Sequence, residues 1–385
     1  MDRSLWPQHH IVCVVAARPN FMKMAPILAA LGQVTPALRL TLVHTGQHYD
    51  AAMNSGFFAA LGMAAPDINL GVGSGSHAQQ TADVMKRFEP VLEAARPSAV
   101  LVVGDVNSTL ACALVAAKMG IPVIHVEAGL RSGDRSMPEE INRLLTDQLS
   151  DLLLTSEPCA RANLLREGYP EARLQFVGNV MIDSLRRQLP QAVGVQEIVA
   201  GAGRPDLLRS GAGYALLTLH RPSNVDNPAR LRSLVDTVAT LSTRLPVIFP
   251  THPRTAAMLQ QFGLDHLLQL PGVLSLPPLG YLEMLGLMQE ARLVLTDSGG
   301  IQEETTALGV PCITLRDNTE RPITVSQGTN TIAGREPARI LALCTEILRT
   351  GGKAGQIPPL WDGQAALRIA AATVNWLAAL PRAAA

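Results

Sequence analysis

A chain of 385 residues is long enough for two domains of ordinary size. With 47% hydrophobic and 17% charged residues, it can bury large cores and is not a disordered chain. Lys and Arg together number 32, as do Asp and Glu, so no basic field points to nucleic acid or to an anionic membrane surface. The five cysteines (Cys13, Cys112, Cys159, Cys312 and Cys344) are scattered, without metal-ligand or redox spacing, and read as buried free thiols. The first apolar run, residues 11–17, is too short to span a bilayer and has no signal-peptide pattern, so a cytoplasmic location is expected.

Apolar runs with strand character recur at 11–17, 40–44, 100–103, 123–126, 152–155 and 174–177. A second series lies at 214–220, 247–250, 273–276, 293–296 and 312–315. Helical patterns such as 24–31 and 231–241 fall between them, and that alternation predicts parallel sheets covered by helices on both faces. The series breaks between about 178 and 213, where the glycine-rich stretches GAGRP and SGAGY punctuate the chain. Two doubly wound, Rossmann-like α/β domains are therefore expected, residues 1–178 and 179–364, with a cleft between them. An Ala-rich helix over 365–380, ended by Pro381, is expected to pack back on the first domain.

In chain order, the first strand runs into ARPNFMKMAP. Arg18 and Lys23 stand where free backbone N–H groups and the helix dipole favour anions, which would suit a diphosphate; solvated surface charges are the plainer reading. The turn TGQHYD, residues 45–50, either lines a site or is an ordinary loop. Residues 100–143 then read as a right-handed strand–helix–strand unit. Gly104-Asp105 ends one strand and Glu127-Ala128-Gly129 the next, on the carboxyl edge where open α/β sheets bind ligands. Glu139-Glu140 opens the following helix behind Pro138. Carboxylates placed close together shift each other's pKa values, so Asp105, Glu127 and Glu139, with Arg131 nearby, point to proton-transfer chemistry. Helix capping by Asp105 and an i,i+4 ion pair between Glu139 and Arg143 stay open as alternatives.

In the second half, His220-Arg221-Pro222 and Thr251-His252-Pro253-Arg254 each put a histidine just past a strand end. No third ligand stands at metal spacing, so zinc is not expected. The strongest local signal is the run from Thr296 to Glu304, TDSGGIQEE. A strand ends, a Ser-Gly-Gly turn lets backbone approach a ligand, and a helix begins, which is a phosphate cradle by mechanism. Glu304, one turn into that helix, could accept from a ribose hydroxyl pair, and Arg321 after the next strand offers a further cation.

Ten blocks in order (ARPNFMKMAP, TGQHYD, GDVNST, HVEAGLRS, MPEEINR, VGNVMID, LTLHRPSN, THPR, DSGGIQEE and RDNTERP) make the chain resemble the non-hydrolysing UDP-N-acetylglucosamine 2-epimerases over nearly its whole length. The resemblance implies a two-Rossmann glycosyltransferase-B architecture with the active site in the interdomain cleft. It implies that Arg18, Lys23, Ser298, Gly299, Gly300, Glu304 and Arg321 bind the UDP, and that Asp105, Glu127, Glu139 and His220 are catalytic. Gln47, Gln80 and His252 correspond to secondary, allosteric positions of some members. The chain departs from the family's usual pattern at Asn20, where Glu is frequent, at Ser223 within HRPSN, and in a short loop over 131–138.

The implied reaction is reversible inversion at C2 of UDP-N-acetylglucosamine to UDP-N-acetylmannosamine, by elimination of UDP to 2-acetamidoglucal and re-addition. It uses no cofactor, neither metal nor nicotinamide, and the family is usually homodimeric, serving surface-polysaccharide supply. Other readings are a hydrolysing 2-epimerase, an epimerase of UDP-2,3-diacetamido-glucuronate, a glycosyltransferase of the same fold, and a UDP-sugar sensor without turnover.

Overall fold

The computed structural model describes residues 9–35, 38–46, 58, 61–209 and 211–380. Its chain divides into two compact units, Met1–Ser184 with Pro359–Ala385, and Leu185–Pro358.

The first unit is built on seven parallel strands: β1 (His10–Val15), β2 (Arg39–His44), β3 (Ile68–Asn69), β4 (Ala99–Val103), β5 (Val123–Ala128), β6 (Leu152–Thr155) and β7 (Leu174–Phe176). They lie in the order β3-β2-β1-β4-β5-β6-β7. Strands β1, β4 and β5 are buried along their whole length, as expected of a parallel sheet with helices on both faces. On one face Val12, Val14, Val100 and Val102 pack against Phe88 and Leu92 of helix His77–Ala95 and Ala111 and Val115 of helix Asn107–Lys118. The small residues of the latter helix let it lie close on the sheet. Strand order reverses between β1 and β4, which opens a crevice at the carboxyl edge.

The final helix, Ala365–Ala379, is part of this first unit and packs on helix Arg18–Val34. Its orphan N-terminal donors are satisfied by the buried Asp183, whose carboxylate accepts from Ala365 N–H at 3.1 Å and Ala366 N–H at 2.8 Å. Just before it, the fully buried Trp361 donates its indole N–H to the Ser156 carbonyl at 3.2 Å.

The second unit holds six parallel strands: β8 (Ala215–Thr218), β9 (Val247–Pro250), β10 (Val273–Leu276), β11 (Leu293–Thr296), β12 (Cys312–Thr314) and β13 (Asn330–Ile332). Their order, β10-β9-β8-β11-β12-β13, is again the doubly wound Rossmann arrangement, with the switch between β8 and β11. Two apolar cores, one around Leu217, Leu295 and Val238 and one around Leu216, Val294 and Leu285, cover the faces of the sheet. Two Rossmann-like units in one chain make the fold class that of the glycosyltransferase-B group.

Two strands, β3 and β13, have no counterpart among the apolar runs, because two or three residues such as Asn330-Thr331-Ile332 present no pattern to read. One thiol also departs from expectation. Cys13, Cys112, Cys312 and Cys344 are buried, but Cys159 is only half-buried and donates to Glu157 at 2.6 Å. Among the described residues no helix is long and apolar enough to cross a membrane.

Candidate active site

In the first unit, the carboxyl ends of β1, β4 and β5 converge. Asn20, in the first turn of helix Arg18–Val34, ties two of them together: its side-chain oxygen accepts from Ala17 N–H at 3.0 Å and its amide donates to the Val103 carbonyl at 2.9 Å. One turn on, Lys23 reaches the Glu127 carboxylate and forms an ion pair with it. Both are almost wholly buried, at 8% and 4% exposure, so this charge pair sits in low dielectric. Gly104 makes room for it. A Cβ there would lie 3.3 Å from Asn20 Nδ2, 3.5 Å from Glu127 Oε2 and 3.5 Å from Lys23 Nζ, and φ of +74° favours glycine in any case.

Asp105 follows Gly104 and accepts from Arg143 Nη1 at 2.5 Å. The same guanidinium holds Glu140 at 2.6 Å, and Glu140 also accepts the N–H groups of Ser132 and Gly133 at 2.9 Å each. Burial works against ionisation of Glu140, but those N–H donors and Arg143 outweigh it and hold its carboxyl below the usual range. Glu139, which opens helix Pro138–Leu149 with it, is only partly buried. Arg131 forks onto Glu167 and reaches Asp147 at 2.7 Å. Arg18 lies partly exposed at the start of its helix.

Of the expected secondary positions, Gln80 is buried and spends its amide inside the unit, accepting from Asn107 at 2.8 Å and donating to the Gly73 carbonyl at 3.2 Å. Gln47 lies outside the described residues.

In the second unit, His220 follows β8 and Asp297 follows β11, the two strands at the switch point. Asp297 is fully buried and accepts from the backbone N–H groups of His220 at 3.1 Å and Arg221 at 3.0 Å. It also lies 2.8 Å from His220 Nδ1, so that nitrogen carries the proton and the imidazole presents Nε2 as its other polar atom. Burial opposes the Asp297 charge, but the His220 contact and these N–H groups overcome it and lower its pKa. His252 lies beside this ring at a centroid distance of 5.7 Å and caps helix Pro253–Gln261, its Nδ1 accepting from Arg254 N–H at 3.2 Å.

Ser298 stands at the N-cap position of helix Gly299–Leu308 without a side-chain capping bond, and Thr296 Oγ1 accepts the Ser298 N–H at 2.9 Å. Gly299 is required by a close approach: a Cβ would stand 2.4 Å from Glu320 Oε1. Around this turn lie three guanidinium groups and, with Asp297, three carboxylates. Arg316 pairs with Glu320 at 2.7 Å, Arg221 lies 3.6 Å from Glu320, and Arg321 pairs with Glu303 at 2.8 Å. Burial disfavours the Glu320 charge, yet Arg316, Arg321 and Arg221 together hold its carboxyl far below the usual range. The guanidinium groups and the free N–H groups of a helix N-terminus suit an anion.

Glu304, next along the helix, faces another way and accepts from Tyr281 Oη at 2.8 Å. Burial pushes its carboxyl up to about 7, against the smaller downward pull of Tyr281. The native chain thus holds a proton there that the unfolded chain releases, so stability contributed by Glu304 is full below its ordinary pKa and is lost as pH rises to about 7. Relative to Glu304→Gln, the parent chain is expected to lose about 3 kcal/mol between pH ~4.5 and ~7. Thermal unfolding midpoints of the two proteins across that window would check it; parallel midpoints would refute it.

Asp297, Glu303, Glu320 and Asp147 are residues of the candidate site that the sequence patterns alone did not single out, and Glu140 was named only together with Glu139. Three of them lie inside the motifs DSGGIQEE and RDNTERP, where their acidic character was visible but their buried partners were not.

A family profile described as UDP-N-acetylglucosamine 2-epimerase matches residues 32–373. A UDP-N-acetylglucosamine 2-epimerase of Methanocaldococcus jannaschii is 43% identical over 331 residues, 85% of this chain and 89% of that protein. A UDP-2,3-diacetamido-2,3-dideoxy-D-glucuronate 2-epimerase of Pseudomonas aeruginosa is 40% identical over 364 residues, 94% of this chain and 98% of that protein. Among solved structures, the crystal structure of M. jannaschii UDP-GlcNAc 2-epimerase in complex with UDP-GlcNAc and UDP is similar with a TM-score of 0.84 at 40% identity, covering 95% of this chain and 99% of that one.

Proposed function

Because the chain belongs to the UDP-N-acetylglucosamine 2-epimerase family, we propose that it inverts C2 of UDP-N-acetylglucosamine reversibly, giving UDP-N-acetylmannosamine without net hydrolysis. The observation that carries this reading is the buried Glu127, held against Lys23 at the end of β5 beside Gly104-Asp105. A carboxylate fixed in a dry strand-end crevice is placed for proton transfer, and the chemistry demands such a group.

C2 of the sugar bears an acetamido group and has no neighbouring carbonyl, so its proton is not acidic. As the C1–O bond to UDP breaks, positive charge develops at C1 and loosens that proton. An enzyme carboxylate takes it, the C2–H electron pair becomes the C1=C2 bond, and the C1–O pair leaves with UDP, giving 2-acetamidoglucal. In return, a UDP phosphate oxygen attacks C1 while a proton reaches C2 from the opposite face. Asp105, Glu127, Glu139 and His220 supply acid, base and cation stabilisation in this reading. The Ser298-Gly299-Gly300 turn, Arg321 and Arg18 hold the diphosphate in this reading, Lys23 takes part while it stays ion-paired with Glu127, and Glu304 holds the ribose hydroxyls. No residue is asked to hold a metal or a nicotinamide. The reading extends to a cytoplasmic homodimer, for which the exposed Ile141 and Leu145, one turn apart on helix Pro138–Leu149, offer apolar surface.

A second substrate, UDP-2,3-diacetamido-glucuronate, is favoured by the likeness to the P. aeruginosa relative, which matches nearly as well over more of the chain. One experiment addresses both: a proton NMR time course of the purified protein in D2O with each nucleotide sugar in turn. The expected result is UDP-N-acetylmannosamine, with deuterium entering C2 of both epimers. Accumulation of free N-acetylmannosamine and UDP would overturn the non-hydrolysing reading. Turnover of the diacetamido sugar alone would move the substrate.

A further inference from the structure

Glu127 occupies an unusual place in its strand. In the pairing of β5 with β6, Val126 stands opposite Leu154 and Ala128 opposite Thr155, so Glu127 is the extra residue of a β-bulge. Its φ is +75°, a left-handed conformation that a side-chain-bearing residue adopts only when its surroundings impose it.

Asp147, on helix Pro138–Leu149, holds the residues on either side of it. Its carboxylate is fully buried. One oxygen meets His125 Nδ1 at 2.7 Å, and the other accepts from Gly129 N–H at 3.0 Å and from Arg131 Nη1 at 2.7 Å. These partners sit two residues before, two after and four after Glu127, so a single side chain pins both flanks of the bulge. The grip extends further. His125 Nε2 faces the Gly104 carbonyl at 2.9 Å, so the same buried ring links the bulge to the turn that delivers Asp105.

We propose that Asp147 is a positioning residue of the reaction: through His125 and Gly129 it sets the backbone that aims Glu127, and through His125 it ties that backbone to the Gly104-Asp105 turn. The proposal rests on Glu127 acting in proton transfer, as read above. Asp147 engages one peptide N–H, that of Gly129, and two side-chain groups, His125 and the Arg131 guanidinium, so replacing it by Asn keeps shape and one acceptor oxygen but sets an amide N–H in place of the other, and the clamp loses its grip on one flank of the bulge.

The test is steady-state kinetics of Asp147→Asn and Glu127→Gln side by side, with UDP affinity by calorimetry and the thermal midpoint of each. For folded Asp147→Asn, kcat is expected to fall about 10²-fold, as for a catalytic group displaced by about 1 Å, with KM changed less than about threefold. A merely structural role would lower the midpoint and leave kcat of the folded fraction intact; folded Asp147→Asn with kcat within about threefold of the parent overturns the proposal. If Asp147→Asn does not fold, His125→Gln decides by the same kcat criterion, since its amide keeps a donor for the Gly104 carbonyl and removes the ring donor to Asp147. Full activity of Glu127→Gln would sink the reading of Glu127 itself; loss of activity in Glu127→Gln with none in Asp147→Asn would sink the positioning role alone.

Discussion

Glu127→Gln is expected to lower kcat by about 10³-fold, within the range that a positioned acid or base contributes, while UDP still binds. The substitution keeps the volume and planarity of a side chain that is almost wholly buried. What it removes is the capacity to take a proton. It also removes the partner of Lys23, leaving a buried ammonium beside a neutral amide, so the thermal midpoint is expected to fall as well. Kinetics alone would confuse those two losses. Deuterium incorporation separates them: in D2O, recovered UDP-sugar from the variant should carry no label at C2 beyond the slowed turnover. Label appearing at the parent's rate, with slow epimerisation, would mean that another group takes the proton and that Glu127 serves a later step.

The strands that deliver these groups were legible in the sequence because parallel strands are buried on both faces and read as unbroken apolar runs. So was the placement of Asp105 and Glu127 at neighbouring strand ends, and of the Ser-Gly-Gly turn before a helix. What was not legible is which acidic residue of a pair turns inward and what it meets there. Glu139 and Glu140 differ by one step of about 100° around a helix, and it is Glu140 that Arg143 grips. Read alone, Lys23 is a cation at a helix start, suited to a phosphate. In the fold it meets a carboxylate on a strand 104 positions away. Asp297 and Asp147 act through partners 77 and 22 residues distant, and no local pattern carries that information. Spacing therefore located the crevice, while its charge pairing is a property of the packed sheet.

That pairing sets the second large effect. Arg143→Met is expected to lower the thermal midpoint by about 10 °C, the equivalent of about 3–5 kcal/mol for breaking a buried ion pair in a unit of this size. Arg143 is among the largest fully buried side chains, and its guanidinium joins Asp105 to Glu140. Methionine replaces its bulk and leaves two carboxylates without their cation. In the parent, Glu140 has a depressed pKa, so the stability it contributes is present above the ordinary carboxylate range and is lost as pH falls through its lowered native value. In the variant, buried Glu140 takes up a proton more readily, and a protonated carboxyl needs no guanidinium. The gap between parent and variant midpoints should therefore narrow as pH is lowered from ~7 toward ~4. Arg143→Lys is expected to recover only part of the loss, because an ammonium lacks the planar fork that reaches both carboxylates at once. A gap that stays constant across that pH range would assign the effect to packing, and the charge network around Asp105 would then have no part in holding the strand end.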